Sequence, residues 1–212
     1  MVNRTVVCIA TNADDTLTLS GVISGSYGIT KSGAGVVVLS NANTYTGSTT
    51  ISAGTLSLSG SGAIATSSKV IATGTFDISG VTSGASIKSL DGAGTVALGA
   101  KVLTLTAAND SFSGSIGGSG GSLVLTSGTQ TLSGTNSYTG GTTINGGTLI
   151  VSGNSSLGAS TGNLTMAGTS ILDLRGALAV GNLTMASGNT IINTTGSSSF
   201  SVSGTATLGS SV

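Results

Sequence analysis

One pattern occurs twice in this chain, as Leu39-Ser-Asn-Ala-Asn-Thr-Tyr-Thr-Gly-Ser-Thr-Thr-Ile-Ser-Ala-Gly-Thr-Leu-Ser-Leu-Ser-Gly60 and as Leu132-Ser-Gly-Thr-Asn-Ser-Tyr-Thr-Gly-Gly-Thr-Thr-Ile-Asn-Gly-Gly-Thr-Leu-Ile-Val-Ser-Gly153. The two stretches share 14 identities in 22 columns, at an offset of 93 residues. A shorter pair, Gly162-Asn-Leu-Thr-Met-Ala167 and Gly181-Asn-Leu-Thr-Met-Ala186, is identical in all six columns at an offset of 19 residues. Self-similarity at a fixed period is typical of repeat architectures, and the offset of 19 predicts the length of one structural unit.

Alternating pairs of aliphatic residues show the same period along the chain. The first members of five pairs lie 20, 19, 20 and 20 residues apart. These pairs are Leu17/Leu19, Val37/Leu39, Leu56/Leu58, Phe76/Ile78 and Val96/Leu98. Small or polar residues separate the members of a pair, which predicts a short strand with its aliphatic side chains on one side and Ser or Thr on the other. Later pairs are spaced less evenly, which predicts loop insertions. They are Leu103/Leu105, Leu123/Leu125, Leu149/Val151, Leu172/Leu174 and Leu183/Met185, followed by Val202 with Leu208.

This period predicts an all-β fold, a parallel β-solenoid, because each coil must return the chain to the same place one strand spacing further along the axis. Dividing 212 residues by about 20 gives roughly ten coils. At about 4.8 Å per coil the rod would be on the order of 50 Å long. We expect one elongated domain, residues 1–212, with repeat units at 29–60 and 121–153, and no helices. An antiparallel sandwich or barrel is the alternative fold, and the 20-residue period counts against it.

Half of the chain consists of three small residue types, with 36 Gly, 37 Ser and 34 Thr among 212 residues. Gly supplies positive φ at the corners of coils, and Ser, Thr and Asn are expected to form ladders with identical residues one coil away. Hydrophobic residues make up 38%, the mean hydropathy is +0.45 and the net charge is zero, which is the opposite of a disordered composition. The chain is therefore expected to fold around a thin aliphatic core.

The composition excludes several classes of function. Without His, neither a Ser-His-Asp triad nor an imidazole metal site can form, and one Cys permits neither an internal disulfide nor a thiolate metal cage. Six basic and six acidic residues lack the basic footprint of nucleic-acid binding. No apolar run approaches the roughly 20 residues of a membrane span. We expect a protein that is not an enzyme, with no metal, cofactor, nucleic-acid partner or membrane span.

Paired carboxylates are the catalytic arrangement that the remaining acids could form. Asp77 and Asp173 lie between apolar neighbours and are expected to point outward from equivalent strands of two repeats. They are 96 residues apart, four or five coils, and roughly 20 Å or more is too far for a carboxylate pair. Asp91 and Asp110 are expected to serve turns, and the glycine-rich run 114–121 is expected to form a solenoid corner.

The repeated columns resemble a known family. Asn43-Thr-Tyr-Thr-Gly-Ser-Thr-Thr-Ile-Ser-Ala-Gly-Thr-Leu56 and its counterpart from Asn136 to Leu149 are similar to the autotransporter-associated β-strand repeat, also called the passenger-associated transport repeat. The preceding segment from Ile29 to Ser40 resembles the usual lead-in of that family. The resemblance implies a right-handed parallel β-helix in the passenger region of a bacterial protein, extracellular or at the cell surface. It brings no catalytic residue with it.

The resemblance also selects structural positions in each copy. They are Asn43, Tyr45, Gly47, Thr49, Ile51, Gly54 and Leu56, with Asn136, Tyr138, Gly140, Thr142, Ile144, Gly147 and Leu149. The recurrent tyrosines are expected to pack against the turn of a neighbouring coil, and exposed ligand platforms are the alternative. Cys8 is expected to be a buried small hydrophobe.

A structural function follows, as a stalk or as a fibre subunit that stacks head to tail on a second copy. An uncapped terminal coil exposes unpaired strand edges and apolar core side chains to another molecule. Both ends of this sequence are apolar. The expected contact residues are Val6, Val7, Ile9, Phe200, Val202 and Leu208. An adhesin module that binds glycan or protein through its sheet face is the alternative. The resemblance adds outer-membrane translocation machinery as an expected partner, and surface glycans are expected partners in the adhesin alternative. The sequence shows no signal peptide or membrane barrel, which indicates a fragment or a short relative.

Overall fold

The computed structural model describes residues 6–9, of which only the backbone is considered, and residues 12–153, 156–196 and 198–209. Every regular element among them is a β-strand, and these residues include no helix with the length and apolarity of a membrane span. In chain order the strands are β1 (Val6–Ile9), β2 (Thr16–Leu19), β3 (Ile29–Ser32), β4 (Val36–Leu39), β5 (Thr49–Ile51), β6 (Thr55–Gly60), β7 (Val70–Ala72), β8 (Thr75–Val81), β9 (Ala85–Ile87), β10 (Leu90–Gly92), β11 (Thr95–Ala97), β12 (Val102–Leu105), β13 (Ser111–Phe112), β14 (Ser115–Gly117), β15 (Ser122–Leu125), β16 (Thr129–Leu132), β17 (Thr142–Ser152), β18 (Leu164–Arg175), β19 (Leu178–Val180), β20 (Leu183–Met185), β21 (Thr190–Ile192), β22 (Phe200–Val202) and β23 (Ala206–Leu208).

The strands stack in three columns. Column A is β1-β3-β5-β7-β10-β13-β16, continued by the C-terminal halves of β17 and β18 and then by β21. Column B is β2-β4-β6-β8-β11-β14, and β19 pairs with β22 further along the axis. Column C is β9-β12-β15, continued by the N-terminal halves of β17 and β18 and then by β20 and β23. The long strands β17 and β18 join columns A and C into one 15-stranded sheet.

Column A contains one strand from each of about ten coils, which confirms the predicted β-solenoid. All strand pairs of the described chain are parallel, so the antiparallel alternative is wrong. Parallel stacking follows from the winding, because each strand meets its neighbour one coil later with the chain running in the same direction.

Alternation along each strand separates the core from the surface. In β6, Leu56 and Leu58 are fully buried, and Ser57 between them is half-buried. In β8, one coil later, Phe76 pairs with Leu56 and is also fully buried, as is Ile78. Each of these side chains contributes about 1.5–3 kcal/mol when it is removed from water. Stacked rows of aliphatic side chains therefore hold one coil against the next.

The uneven spacing of the later aliphatic pairs arises from the winding and, towards the C-terminus, from the predicted insertions. Leu149 of β17 pairs with Leu172 of β18 at an offset of 23 residues, so that coil is longer than the 20-residue period. Val96 lies in β11 of column B, Leu103 lies in β12 of column C, and Leu149 lies in the half of β17 that belongs to column A. Pairs in different columns are separated by a fraction of a coil, so the distance between successive pairs changes even where the coils keep their length.

Hydroxyl side chains join consecutive coils at the corners. Thr106 Oγ1, for example, donates to the carbonyl oxygen of Ile87 in the coil before it, at 3.2 Å. Such bonds run from side chain to backbone, which differs from the predicted ladders of identical side chains. A pair of like side chains does occur where Asn182 Nδ2 donates to Asn163 Oδ1 at 3.0 Å. Where Ser and Thr hydroxyls bond across coils, their acceptors are thus mostly backbone carbonyls.

A column of glycines at 20-residue intervals forms the corner between columns A and B. Its members are Gly54, Gly74, Gly94, Gly114 and Gly134. A Cβ atom on Gly114 would lie 1.9 Å from the carbonyl oxygen of Gly94, and one on Gly134 would lie 1.9 Å from that of Gly114. Consecutive coils touch backbone to backbone here, so no side chain fits between them. The aliphatic pattern alone does not reveal this column.

Candidate functional site

The two copies of the repeat build the same buried hydrogen bond. Tyr45 is 1% exposed and Tyr138 is 0% exposed. The hydroxyl of Tyr45 lies 2.6 Å from that of Thr49, and the hydroxyl of Tyr138 lies 2.6 Å from that of Thr142. Burial raises the pKa of Tyr138 well above its usual range, against a weaker opposing effect of the bond to Thr142. Neither ring is accessible to a ligand.

An asparagine two residues before each tyrosine connects neighbouring coils. Asn43 Oδ1 accepts a hydrogen bond from the backbone N–H of Ile23 in the coil before it, at 2.9 Å. Its Nδ2 donates to the carbonyl oxygen of Ala63 in the coil after it, at 3.2 Å. Asn136 accepts from the N–H of Ile116 in the same way, at 2.9 Å. A carboxamide carries both a donor and an acceptor, so one buried side chain can bond to the coils on both sides.

The other motif positions lie in the core and at the corners. The aliphatic members are fully buried, and they are Ile51, Leu56, Ile144 and Leu149. The glycine members approach the backbone of a neighbouring coil, and they are Gly47, Gly54, Gly140 and Gly147. A Cβ atom on Gly47 would lie 2.2 Å from the backbone nitrogen of Gly28. These residues hold the coils together, and the aliphatic members offer no surface to a ligand.

The two copies lie at different positions around the axis. Tyr45 follows β4 of column B and precedes β5 of column A, so the first copy passes through the position of column C. Tyr138 follows β16 of column A and precedes the N-terminal half of β17, so the second copy passes through the position of column B. The offset of 93 residues corresponds to about four and two-thirds coils, which rotates the motif by one column.

The predicted end-contact residues lie at opposite ends of the stack. Strand β1 is the first of column A, and its side chains lie outside the described part of the chain. This applies to Val6, Val7 and Ile9 and to Cys8. At the other end Phe200 and Val202 of β22 are half-buried, and Leu208 of β23 is 65% exposed. Within one chain the structure does not bring the two sets together.

Three charged residues form a cluster beside column A, which we name the Lys69 cluster. Lys69 Nζ lies 3.0 Å from a carboxylate oxygen of Asp91 and 2.9 Å from one of Asp110. Hydrogen bonds to Asp110 and Asp91 raise the pKa of Lys69. Burial opposes ionisation of Asp110, but hydrogen bonds from Ser89 and Lys69 outweigh it and hold the pKa of Asp110 below its usual range.

The Lys69 cluster was not predictable from local motifs. Lys69 is separated from Asp91 by 22 residues and from Asp110 by 41 residues, which are one and two coils. The coil period is the signal that could have found it, because residues one period apart become neighbours along the axis. Asp91 and Asp110 were expected to serve turns alone, and the structure shows that they also pair with a lysine.

An open groove of about 680 Å³ lies beside Asp110. Its lining comes from two consecutive coils and consists of Ala108, Asn109, Asp110, Ser111, Gly128, Thr129 and Thr131. Carboxylate, carboxamide and hydroxyl groups there could hydrogen-bond to the hydroxyls of a sugar, and the lining contains no aromatic ring. In the described part of the chain no three His, Cys, Asp or Glu side chains converge as a metal site requires.

The structure places Asp77 and Asp173 in different columns. Asp77 lies half-buried in β8 of column B and accepts a hydrogen bond from Ser57 Oγ at 3.2 Å. Asp173 lies in column A and is only 2% exposed, because Arg175 and Thr194 cover its carboxylate at 2.8 and 2.9 Å. Burial alone would raise the pKa of Asp173, but these hydrogen bonds outweigh it and lower the pKa. The two carboxylates form no pair.

Comparison with known proteins identifies the repeats. The family model of the passenger-associated-transport-repeat matches residues 29–58 and 127–151, which confirms the resemblance. The adhesin BmaC autotransporter of Brucella suis biovar 1 (strain 1330) is 36% identical over 148 residues. That match covers 66% of this chain and 4% of the relative, so the chain spans a small part of the relative's length. No solved structure matches the chain.

These matches agree with the fold. They support the extracellular or cell-surface location that the resemblance implies. The matched repeat family is not an enzymatic one.

Proposed function

We propose that this β-solenoid, which carries two passenger-associated transport repeats, is a structural stalk segment at a bacterial cell surface. The aromatic, amide, threonine and aliphatic side chains selected in each motif copy are buried and hold coil against coil, so they are not available to a ligand. Backbone hydrogen bonds along the axis and an aliphatic core that runs through successive coils make such a rod stiff. Residues 1–212 form one elongated domain in this proposal.

The proposal rests on apolar side chains at the two ends of the stack. Rows of inward-facing side chains that are buried inside the stack become exposed in its first and last coils. In the first coil Leu17 is 41% exposed and Val22 is 54% exposed, and in the last coil Leu208 is 65% exposed. Further inside, the same rows are buried. Leu56, in the row of Leu17, and Met166, in the row of Leu208, are both 0% exposed. A further coil on either end would bury these side chains, and in the purified chain a second copy supplies it head to tail.

Electron microscopy and light scattering of the purified chain test this stacking. We expect rods longer than about 50 Å whose length rises with protein concentration. Leu208→Asp places a charge in the end contact and should return single rods, because an unpaired charge is costly to bury. Thr104→Asp, on the outward side of β12, is the matched control and should leave the stacking intact. Stable single rods of the unaltered chain at high concentration would contradict head-to-tail stacking.

The groove beside Asp110 favours a second candidate function, an adhesin module. The Brucella suis protein that this chain resembles is named an adhesin. We propose surface glycans as the candidate ligands of this chain. Binding of the chain to a glycan array and to host cells tests it. If the chain is an adhesin, Asp110→Asn should abolish binding and Asp77→Asn should retain it. If neither the unaltered chain nor either variant binds, the adhesin function is contradicted and the stalk function stands. Outer-membrane translocation machinery remains an expected partner in either case.

A further inference from the structure

Lys31 is a charged side chain buried at the corner between columns A and B. It is 0% exposed and lies on the inward side of β3, in register with Ile51 of β5. The next inward side chain of that row is Ala72, so the row on this side of Lys31 is apolar. An ammonium group is very costly to bury unless oxygen atoms surround it. The surroundings of Lys31 must therefore compensate its charge.

Three backbone carbonyl oxygens lie around the Lys31 ammonium. Lys31 Nζ donates to Ser32 O at 3.0 Å, to Gly33 O at 2.9 Å and to Ala53 O at 3.2 Å. The first two oxygens belong to the coil of Lys31, and the third belongs to the next coil. We name these three oxygens the corner cage.

Glycines with positive φ shape the corner cage. Gly33 has a φ of 80° and Gly54 a φ of 63°, values that L side chains rarely adopt. A Cβ atom on Gly54 would lie 2.4 to 2.7 Å from the carbonyl oxygens of Gly33, Ala34 and Gly35. Successive carbonyls at this corner are thus gathered beneath Gly54. Rings of backbone carbonyls are a general means of replacing the hydration shell of a monovalent cation.

The second copy of the repeat has no cation at the corresponding place. Leu125 of β15 takes the position of Lys31, because Lys31 pairs with Ile51 and Leu125 pairs with Ile144, the matching isoleucine of the second copy. Leu125 is fully buried. The repeat architecture therefore does not require a lysine here, and the charge at Lys31 is particular to its own corner.

We infer that the corner cage is a binding site for a small monovalent cation, which Lys31 fills from within its own chain. When the side chain is shortened, the same carbonyls bind a free ammonium-type ion or K⁺. The site is independent of the end contacts and of the groove beside Asp110.

Chemical rescue of Lys31→Ala tests this site. The substitution removes three methylene groups and the ammonium, which together correspond to one n-propylammonium ion. Thermal unfolding followed by circular dichroism should show a lower Tm than the unaltered chain. n-Propylammonium or K⁺ should raise that Tm in a saturable manner, because a ligand of the folded state alone stabilises it. Tetramethylammonium at the same ionic strength should give no such rise, because its four methyl groups make it too large for the cage and keep the carbonyl oxygens away from its charge.

Two further variants control the rescue. Lys31→Met fills the space with an apolar chain, so it should be destabilised and should not respond to n-propylammonium. Lys88→Ala removes a half-exposed lysine and should show no salt-specific rise. Equal shifts of Tm from all salts in Lys31→Ala, or a Tm equal to that of the unaltered chain, would overturn the proposal.

If Lys31→Ala does not fold, lysine acetylation of the unaltered chain tests whether the corner cage encloses the Lys31 ammonium. Mass spectrometry of the folded protein should show Lys31 acetylated far more slowly than Lys69, Lys88 and Lys101, because its ammonium is enclosed. Acetylation of Lys31 at the rate of Lys88 would overturn the proposal.

Discussion

At the scale of single residues, buried polar side chains are bonded to groups in neighbouring coils. The hydroxyl of Thr49 lies between those of Tyr45 and Ser67, at 2.6 and 2.9 Å. Gln130 Nε2 reaches across two coils to the carbonyl oxygen of Leu90, at 2.9 Å. A buried polar group that loses its partner costs about 1–3 kcal/mol. A change at one such residue therefore weakens the contact between coils.

Tyr138→Phe removes the hydroxyl that bonds Thr142 and leaves that buried hydroxyl without it. We expect the free energy of unfolding to fall by about 1–3 kcal/mol, measured by urea denaturation. The double variant Tyr138→Phe with Thr142→Val removes both polar partners, so it should be more stable than the sum of the single effects predicts. Strict additivity of the two substitutions would mean that the hydroxyls do not depend on each other.

Acid should destabilise the protein through Asp173 and Asp110. Their hydrogen bonds hold both pKa values below the ordinary value of about 3.9 that applies in the unfolded chain. Their contribution to stability is therefore complete above about pH 4 and is lost as the pH falls through the lowered pKa of the folded state. Urea denaturation at neutral pH and at about pH 2.5 measures the loss. Asp173→Asn should lose less than the unaltered chain between these pH values, and an identical loss would contradict the assignment to Asp173.

Gly114→Ala should be strongly destabilising. The new methyl group would lie 1.9 Å from the carbonyl oxygen of Gly94, and the backbone of a stacked coil cannot yield as a flexible side chain can. We expect a loss of about 1–3 kcal/mol or more of unfolding free energy, by urea denaturation. Gly21→Ala is the control, because nothing lies within 4 Å of its Cβ position, and it should change stability by less than about 0.5 kcal/mol. Similar losses in both variants would show that the glycine column is not tightly packed.

At the scale of strands, aliphatic alternation predicts where a strand lies but not which column it joins. Leu56 in β6 and Leu103 in β12 have the same local pattern, yet they belong to columns B and C. The column depends on how the chain turns at the preceding corners, which the alternation does not encode. The same pattern places Lys31 inward, although the carbonyls that accept its charge come partly from the next coil. Local sequence therefore does not predict which residues of neighbouring coils contact each other.

Deletion of residues 163–181 should remove one coil and preserve the fold. Gly162 would then join Asn182, which leaves one copy of the Gly-Asn-Leu-Thr-Met-Ala segment. The two copies stack in register, with Leu164 paired to Leu183, so the remaining copy can take the place of the deleted one. We expect an unchanged β-type circular dichroism spectrum, cooperative urea unfolding and a smaller m-value, because less surface is exposed on unfolding.

Deletion of residues 163–172 is the matched control. It removes about half of a coil, so the strands after it would meet the wrong columns and their inward rows would not align. This variant should not unfold cooperatively. If both deletions were tolerated equally, the coil would not be the unit of the fold.

At the scale of the whole molecule, the repeat period predicts about ten parallel coils, and the structure confirms them. The period does not predict the position of the second motif copy around the axis. To predict that position, one must know that each coil contributes strands to three columns. The sequence does not reveal this number, because the aliphatic pairs look alike in all three columns. The only trace in the sequence is that the offset of 93 residues is not a whole multiple of the 20-residue period.

The rotation of the motif by one column has a geometric consequence for any longer chain with the same 93-residue spacing. Each successive copy would lie about four and two-thirds coils further along the rod and would be shifted by one column around its axis. Three such spacings would complete a full circuit in about 14 coils, roughly 67 Å of rod. Loops inserted at the motif would then point in three directions, and the rod could meet another surface from any side without first turning about its axis.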